Sequence, residues 1–392
     1  MQDHEILAIY QQSQRHCDNR QGFAGSGGEL PRTRRYTSER TLNRSWKDLF
    51  VNAYFRSLAA CVCAFAALSG VSSVLGQSGK AAPIAPVAST ISTPVFVLNS
   101  LDDSVSVINP ANWTEIKRIE TGKQPHHLYF TPDEKSVIVA NALSDSLTFI
   151  DPKTAEVQRT VRGVIDPYHL RFSPDMKWFV TAANRLNHID IYRWDGKEMT
   201  LAKRVATGKT PSHLWIDSKS GTVYSTMQDS DELVAVDLAS QTIKWRIKTG
   251  STPADLFGTA NDKLVLVALT GGDGVEVYDV SGKEPVRTKF IKTAAGAHAF
   301  RALGDKRHVL VSNRVANSIS KIDLQTLEAV DQFPAPGGPD CMDVTRDGSQ
   351  VLVTSRWSRK LTVIDLASRQ VVRQINVGRS PHGVWTLDHA PR

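Results

Sequence analysis

A phrase recurs along this chain every 40 to 46 residues, and it limits the possible folds more than any other feature. Its clearest forms are TGKQPHHLYF at 121–130, TGKTPSHLWI at 207–216 and VGRSPHGVWTL at 377–387. Aligned on its glycine, the phrase falls at Gly122, Gly163, Gly208, Gly250, Gly296, Gly338 and Gly378. Between copies the hydrophobic period is two, as in SVIVAN, SLTFID and EVQRTV, with Pro, Asp, Gly and Asn clusters separating the runs. Alternating short runs parted by such residues are strands joined by tight turns. Four strands per unit of this length is the pattern of a propeller blade. No helical periodicity competes with it.

Six complete units lie between Gly122 and Gly378, with a fragment at each side. The C-terminal SPHGVWTL supplies an innermost strand, and VFVLN, SVSVIN and EIKRIE near residue 100 supply three more. Joined, they make a seventh blade and close the ring, which removes the open edges of a linear array. The expected fold is therefore all-β, a seven-bladed propeller over residues 94–392, and a monomer is expected.

The wording of the repeat, from TGKQPHHLYFTPDEKSVIVAN to LTVIDLASRQVVRQINVG, resembles the YVTN-type, YncE-like family of exported beta-propellers. The resemblance covers about residues 94–388. It implies the fold and an exported location, and it leaves activity to be argued from the site, because members of such a scaffold class do not share one chemistry. Lactonases and the propellers of nitrous oxide and nitrite reductases are more distant structural kin.

The residue two after the Pro of each phrase, counted from Gly296 where the Pro is absent, is His127, His169, His213, Asp255, His298, Cys341 and Gly383. Six of the seven types can bind a metal. His126 and His382 stand one position earlier. Propeller symmetry gathers these residues around the central channel, at the mouth where the inner strand begins. Imidazoles, a carboxylate and a thiol in a ring suit copper, zinc or iron, or an axial ligand to a haem-like cofactor. His127, His169, His213 and His298 are the metal candidates. Propellers of the nitrous oxide reductase type similarly build a metal site from inner-strand histidines, whereas this chain has no electron-transfer domain or haem-attachment motif. The competing account is architectural: a repeat copies its residues, and a His after the turn bonds a backbone carbonyl of the next loop. Cys341 alone is equally a small buried hydrophobe.

The exits of the second strands bring Asn99, Asn141, Asn184, Gln228 and Asn313 to the same face, where Asn serves turn geometry. Arg185, Arg314 and Arg356 follow such exits and together suit a carboxylate or phosphate ligand, with scattered surface arginines as the alternative. TPDE, SPDM and TRDG on the opposite face are turn chemistry. TGGDG at 270–274 precedes a strand and lacks the Lys and helix of a phosphate cradle.

Residues 57–75 carry no charge, follow Arg44, Lys47 and Arg56, and lead to small residues at Val74 and Gly76. That is the layout of a secretory signal over 51–76, with a membrane anchor as the alternative. A linker follows at 77–93. Residues 1–50 are polar and aperiodic, a disordered or mis-annotated leader, and a start at Val51 would give a signal of ordinary size. Cleavage near Gly76 leaves 38 Lys/Arg against 34 Asp/Glu, too even a balance to argue nucleic-acid or membrane binding. It also removes Cys17, Cys61 and Cys63, so Cys341 remains as a lone thiol. The functional expectation is an exported binding protein for a small ligand or a protein partner at the channel mouth. The alternatives are a metal or redox propeller built on the histidines, and a lactonase-like hydrolase.

Overall fold

The computed structural model describes residues 91–391; the expected leader and signal lie outside them. Seven four-stranded antiparallel sheets follow one another, each with a neighbour's face against its own. The innermost strands are Pro125–Phe130, Pro167–Phe172, Pro211–Ile216, Pro253–Gly258, Ala297–Ala302, Pro339–Val344 and Pro381–Thr386. Second and third strands are buried on both faces, which explains unbroken apolar runs such as VIVAN at Val137–Asn141. Outermost strands alternate exposed and half-buried, as in Thr114–Glu120. They carry the Lys and Arg that keep an edge from pairing with another chain.

The ring closes as expected. Pro381–Thr386 pairs antiparallel with Val95–Asn99, setting Val95 opposite Thr386 and Phe96 opposite Trp385. Just beyond the strand, the Asp388 carboxylate accepts from the backbone N–H groups of Ser92 and Thr93 at 2.7 and 2.8 Å. Arg301, buried against Asp343 at 2.9 Å, donates to the Ala390 carbonyl at 2.6 Å and ties down the tail. Between blades the core is a continuous apolar seam, for example Leu98, Val105, Leu128 and Val139.

The recurring glycine has a local cause. A Cβ on Gly122 would stand 2.7 Å from the Asn141 Cβ, closer than atoms pack. Gly296 and Gly338 also have φ of +79° and +70°, the left-handed region that side chains avoid. The Asn of the second-strand exit is structural too. Asn99 Nδ2 donates to Ser104 and Ser106, while its Oδ1 accepts from Gly378 N–H at 2.9 Å.

One irregularity decides what the channel contains. In a regular strand, successive side chains point to opposite faces. Each inner strand breaks that rule at the repeated phrase. Pro125 faces Asn141 and Leu128 faces Val139, so His126 and His127 together oppose a single residue. Comparable register shifts occur in the other six blades. Such a bulge re-aims side chains. Here it brings consecutive residues of one strand, such as His126 with His127, Tyr168 with His169 and Asp340 with Cys341, into the central cluster.

Candidate metal centre in the channel

The seven positions read from the phrase do converge, and they sit deeper than a channel mouth. His127, His169, His213, Asp255 and His298 are 8% exposed or less, and so are His126 and His382. Cys341 is half-buried. They belong to the inner strands themselves, because the strand begins at the Pro and not after the histidine. Ring centres of His127, His169 and His213 form a near-equilateral triangle with sides of 4.5, 4.8 and 4.9 Å. His382 lies 4.6 Å from His127, and His298 lies 5.8 Å from His213. A cavity of about 40 Å³ is lined by His127, His169, His213, Asp255 and Cys341, with Tyr129, Phe300 and Trp385 beside them. That holds an ion or about three to four waters, at about 10–15 Å³ for each water. A haem-like group does not fit, since pockets for organic ligands run to about 300–1,000 Å³.

Among the described residues, three groups of His and Asp bring ligand atoms within 4.8 Å of one another. Hydrogen bonding distinguishes them. In the trio His127, His169 and His213, each ring has one nitrogen held from outside. His127 Nδ1 donates to the Tyr168 carbonyl at 2.8 Å, which leaves its Nε2 with a lone pair in the neutral ring. His213 Nδ1 meets Ser212 Oγ at 2.8 Å, and His169 Nε2 meets Tyr129 Oη at 3.2 Å. The remaining nitrogens are His127 Nε2 and His213 Nε2, 3.2 Å apart, and His169 Nδ1, which is buried without a hydrogen-bond partner. Metal-ligating histidines have this arrangement, with the outer nitrogen fixed by a carbonyl, carboxylate or hydroxyl.

The other two groups are less suited. His298, Asp340 and His382 surround a carboxylate whose oxygens are taken by Arg314 Nη2 at 2.8 Å and Arg356 Nη1 at 3.0 Å. Two guanidiniums repel a cation there. His298 Nε2 is itself bonded by Arg314, and its Nδ1 meets Thr270 Oγ1 at 3.0 Å. His126 is packed between the Tyr168 ring at 3.7 Å and the His382 ring at 3.8 Å. Its Nδ1 lies 2.9 Å from His127 Nδ1, whose proton is committed to Tyr168.

The three arginines therefore do not share one task. Arg314 and Arg356 hold Asp340, while Arg185 pairs with the buried Asp166 at 2.7 Å. The carboxylate they were expected to recognise is in each case the chain's own. Asp340 is the functional-looking residue that reading the phrase missed. It occupies the position one after the Pro, where His126 and His382 were noticed and the Asp was not. The architectural account of the histidines holds only in part, since His127 alone among the trio bonds a neighbouring blade's carbonyl.

Burial sets the protonation states. It lowers His126, His127, His169, His213 and His382 well below the usual imidazole value, with neighbouring rings adding to the effect. His298 is brought to about 4, by burial and then by Arg314. All six are neutral at physiological pH, so no proton competes for their lone pairs. Burial works against the charge of Asp340, and Arg314, His382 and His298 together outweigh it and keep the carboxyl well below its usual range. Burial raises the Cys341 thiol, and Asp340 and Asp255 raise it further.

The sequence signature of a family described as YNCE-like beta-propeller matches residues 51–392. No curated protein matches the chain in sequence. Solved structures do match in shape. One is a functionally unknown protein from Desulfotomaculum acetoxidans, 14% identical, TM-score 0.66, covering 75% of this chain and 98% of that one. The periplasmic gluconolactonase PpgL of Pseudomonas aeruginosa is 18% identical, TM-score 0.64, over 75% and 98%. The dihydro-heme d1 dehydrogenase NirN is 18% identical, TM-score 0.58, over 76% of each chain. At these identities the likeness is one of fold.

Proposed function

Because this chain belongs to the YNCE-like beta-propeller family, a scaffold without a fixed chemistry, we propose that it is an exported binding protein that holds one transition-metal ion in its channel, ligated by His127, His169 and His213. The observation that carries the reading is the division of labour within each imidazole. One nitrogen of each ring is engaged by Tyr168, Ser212 or Tyr129, and the other is left to the trio. Two nitrogens on a tetrahedral zinc, each at about 2.0–2.1 Å, stand roughly 3.3 Å apart. His127 Nε2 and His213 Nε2 are already 3.2 Å apart. Export is supported by the uncharged run at 57–75 behind Arg56 and by the periplasmic description of PpgL. Lactone hydrolysis is supported by fold likeness alone.

Elemental analysis tests the reading, on protein purified without a histidine tag from cells supplied with copper, zinc and iron. The expected result is about one metal per chain, lost when His127, His169 and His213 are all changed to Ala and kept in His298→Ala. Metal-free wild-type protein that also fails to take up added zinc or copper would overturn it.

A further inference from the structure

We propose that Cys341 supplies the fourth ligand to this ion, which makes the site one for thiophilic ions, zinc(II) or copper(I), and not for hard ones. The inference rests on the three-histidine reading. Cys341 and the trio line the same cavity. Cys341 belongs to the seventh blade in chain order around the ring, counting the closing blade as the first, and therefore lies across the channel from His169 and His213 in the third and fourth. Its sulfur has only long contacts, 3.6 Å to His382 Nδ1 and 3.9 Å to an Asp340 oxygen. The sulfur is not among the ligand atoms already gathered within 4.8 Å of one another, so ligation turns the side chain away from these two weak contacts toward the trio.

The competitors for the fourth place are occupied. Both oxygens of Asp255 accept backbone N–H groups, from Leu256 at 2.9 Å and Phe300 at 2.8 Å. The nitrogens of His298 face Arg314 and Thr270. His382 Nε2 is 3.5 Å from Asp340, beside the two guanidiniums. Asp255 offsets the ion's charge from the cavity wall without binding it. The independent sign that something is held here is the buried, unpartnered Nδ1 of His169, whose ring lines the same cavity. On binding, the S–H bond breaks, a sulfur–metal bond forms and the proton leaves to water; nothing is oxidised or reduced. Thiolate with imidazole is the donor set that zinc and copper(I) prefer and that magnesium and calcium do not.

Cobalt(II) chloride added to the chelator-treated full chain is the probe. Wild type should develop visible ligand-field bands of a tetrahedral ion together with a near-ultraviolet thiolate-to-cobalt charge-transfer band. Cys341→Ser should keep the first and lose the second. Its zinc affinity should fall by more than the roughly 10–100-fold that loss of an outer-shell partner costs. Ligand-field bands in wild type without the charge-transfer band would overturn the thiolate ligand and leave the histidine site standing. No cobalt spectrum at all would overturn both.

Discussion

Lowering the pH should unfold the metal-free protein over a narrow range, and the size of the effect follows from six buried imidazoles. His126, His127, His169, His213, His298 and His382 are all held neutral in the fold, with values below the 6.5 of an exposed ring. In the unfolded chain they take up protons near 6.5, so the unfolded state binds more protons below that pH and stability rises with pH through the window. Each contribution is complete above 6.5 and is lost as pH falls toward the folded value. Between pH 6.5 and 5.5 one such group costs about 1 kcal/mol, so six cost about 6 kcal/mol, against a total stability of about 5–15 kcal/mol. Asp340 acts in a different window. Its lowered value contributes stability above the usual carboxylate range, lost only below about 4, so it adds nothing here. The assay is urea unfolding of chelator-treated protein at closely spaced pH values, with the slope read as protons taken up. A slope of about five protons near pH 5.5 is expected, and about one fewer in His169→Gln. A slope below one proton across pH 6.5 to 5.5 would show that the channel protonates without opening, and would refute the argument from burial.

Three further perturbations separate architecture from site. Trp385 packs edge-on against Tyr129 at 5.2 Å and Phe130 at 4.9 Å, across the joint between the closing blade and its neighbour. Trp385→Ala should cost about 3–5 kcal/mol in urea unfolding, and deleting residues 381–392 should abolish cooperative unfolding. An unchanged melting temperature in the truncated protein would sink the closure. Arg314→Met leaves buried Asp340 with Arg356 as its remaining guanidinium and takes the donor from His298 Nε2. Breaking a buried pair in this way costs about 3–5 kcal/mol, and adding Asp340→Asn should recover part of it; a loss under about 1 kcal/mol would refute a stabilising role for the Arg314–Asp340 pair.

The blades were legible in the sequence because their cause is local and repeated. Gly122 must clear Asn141 in one blade and Gly378 must bond Asn99 in another, so the phrase survives in readable form. Ring closure was legible because the two end fragments add up to one blade. The depth of the histidines was not. Whether a residue two after a Pro stands at the rim or inside the channel depends on a bulge, and no residue type announces a bulge shared by seven strands. The pairing of Arg314 and Arg356 with Asp340 was missed for a different reason. The position one after the Pro is His126, His382 and Asp340 in three blades but Ser212, Ala254 and Ala297 in others, so its chemistry shows only when the ring is assembled. Arg185 pairs with Asp166 by the same kind of long-range choice.

Those unequal positions carry the argument for function further than the histidines do by themselves. The same ring positions accept Gly383, Ala254 and Ala297, all buried, so the propeller closes without a polar side chain at every place. Filling the others with imidazole is costly, because a buried ring needs a partner for each nitrogen and otherwise destabilises the fold by about 1–3 kcal/mol. His298 meets that demand, whereas His127 and His213 are left with their Nε2 atoms set against each other at 3.2 Å and His169 leaves its Nδ1 unmet. Apolar residues would fill the same space without that penalty. An ion that accepts the lone pairs of His127, His169 and His213 turns the deficit into binding energy, and it should raise the stability of the loaded protein as its free concentration exceeds its dissociation constant.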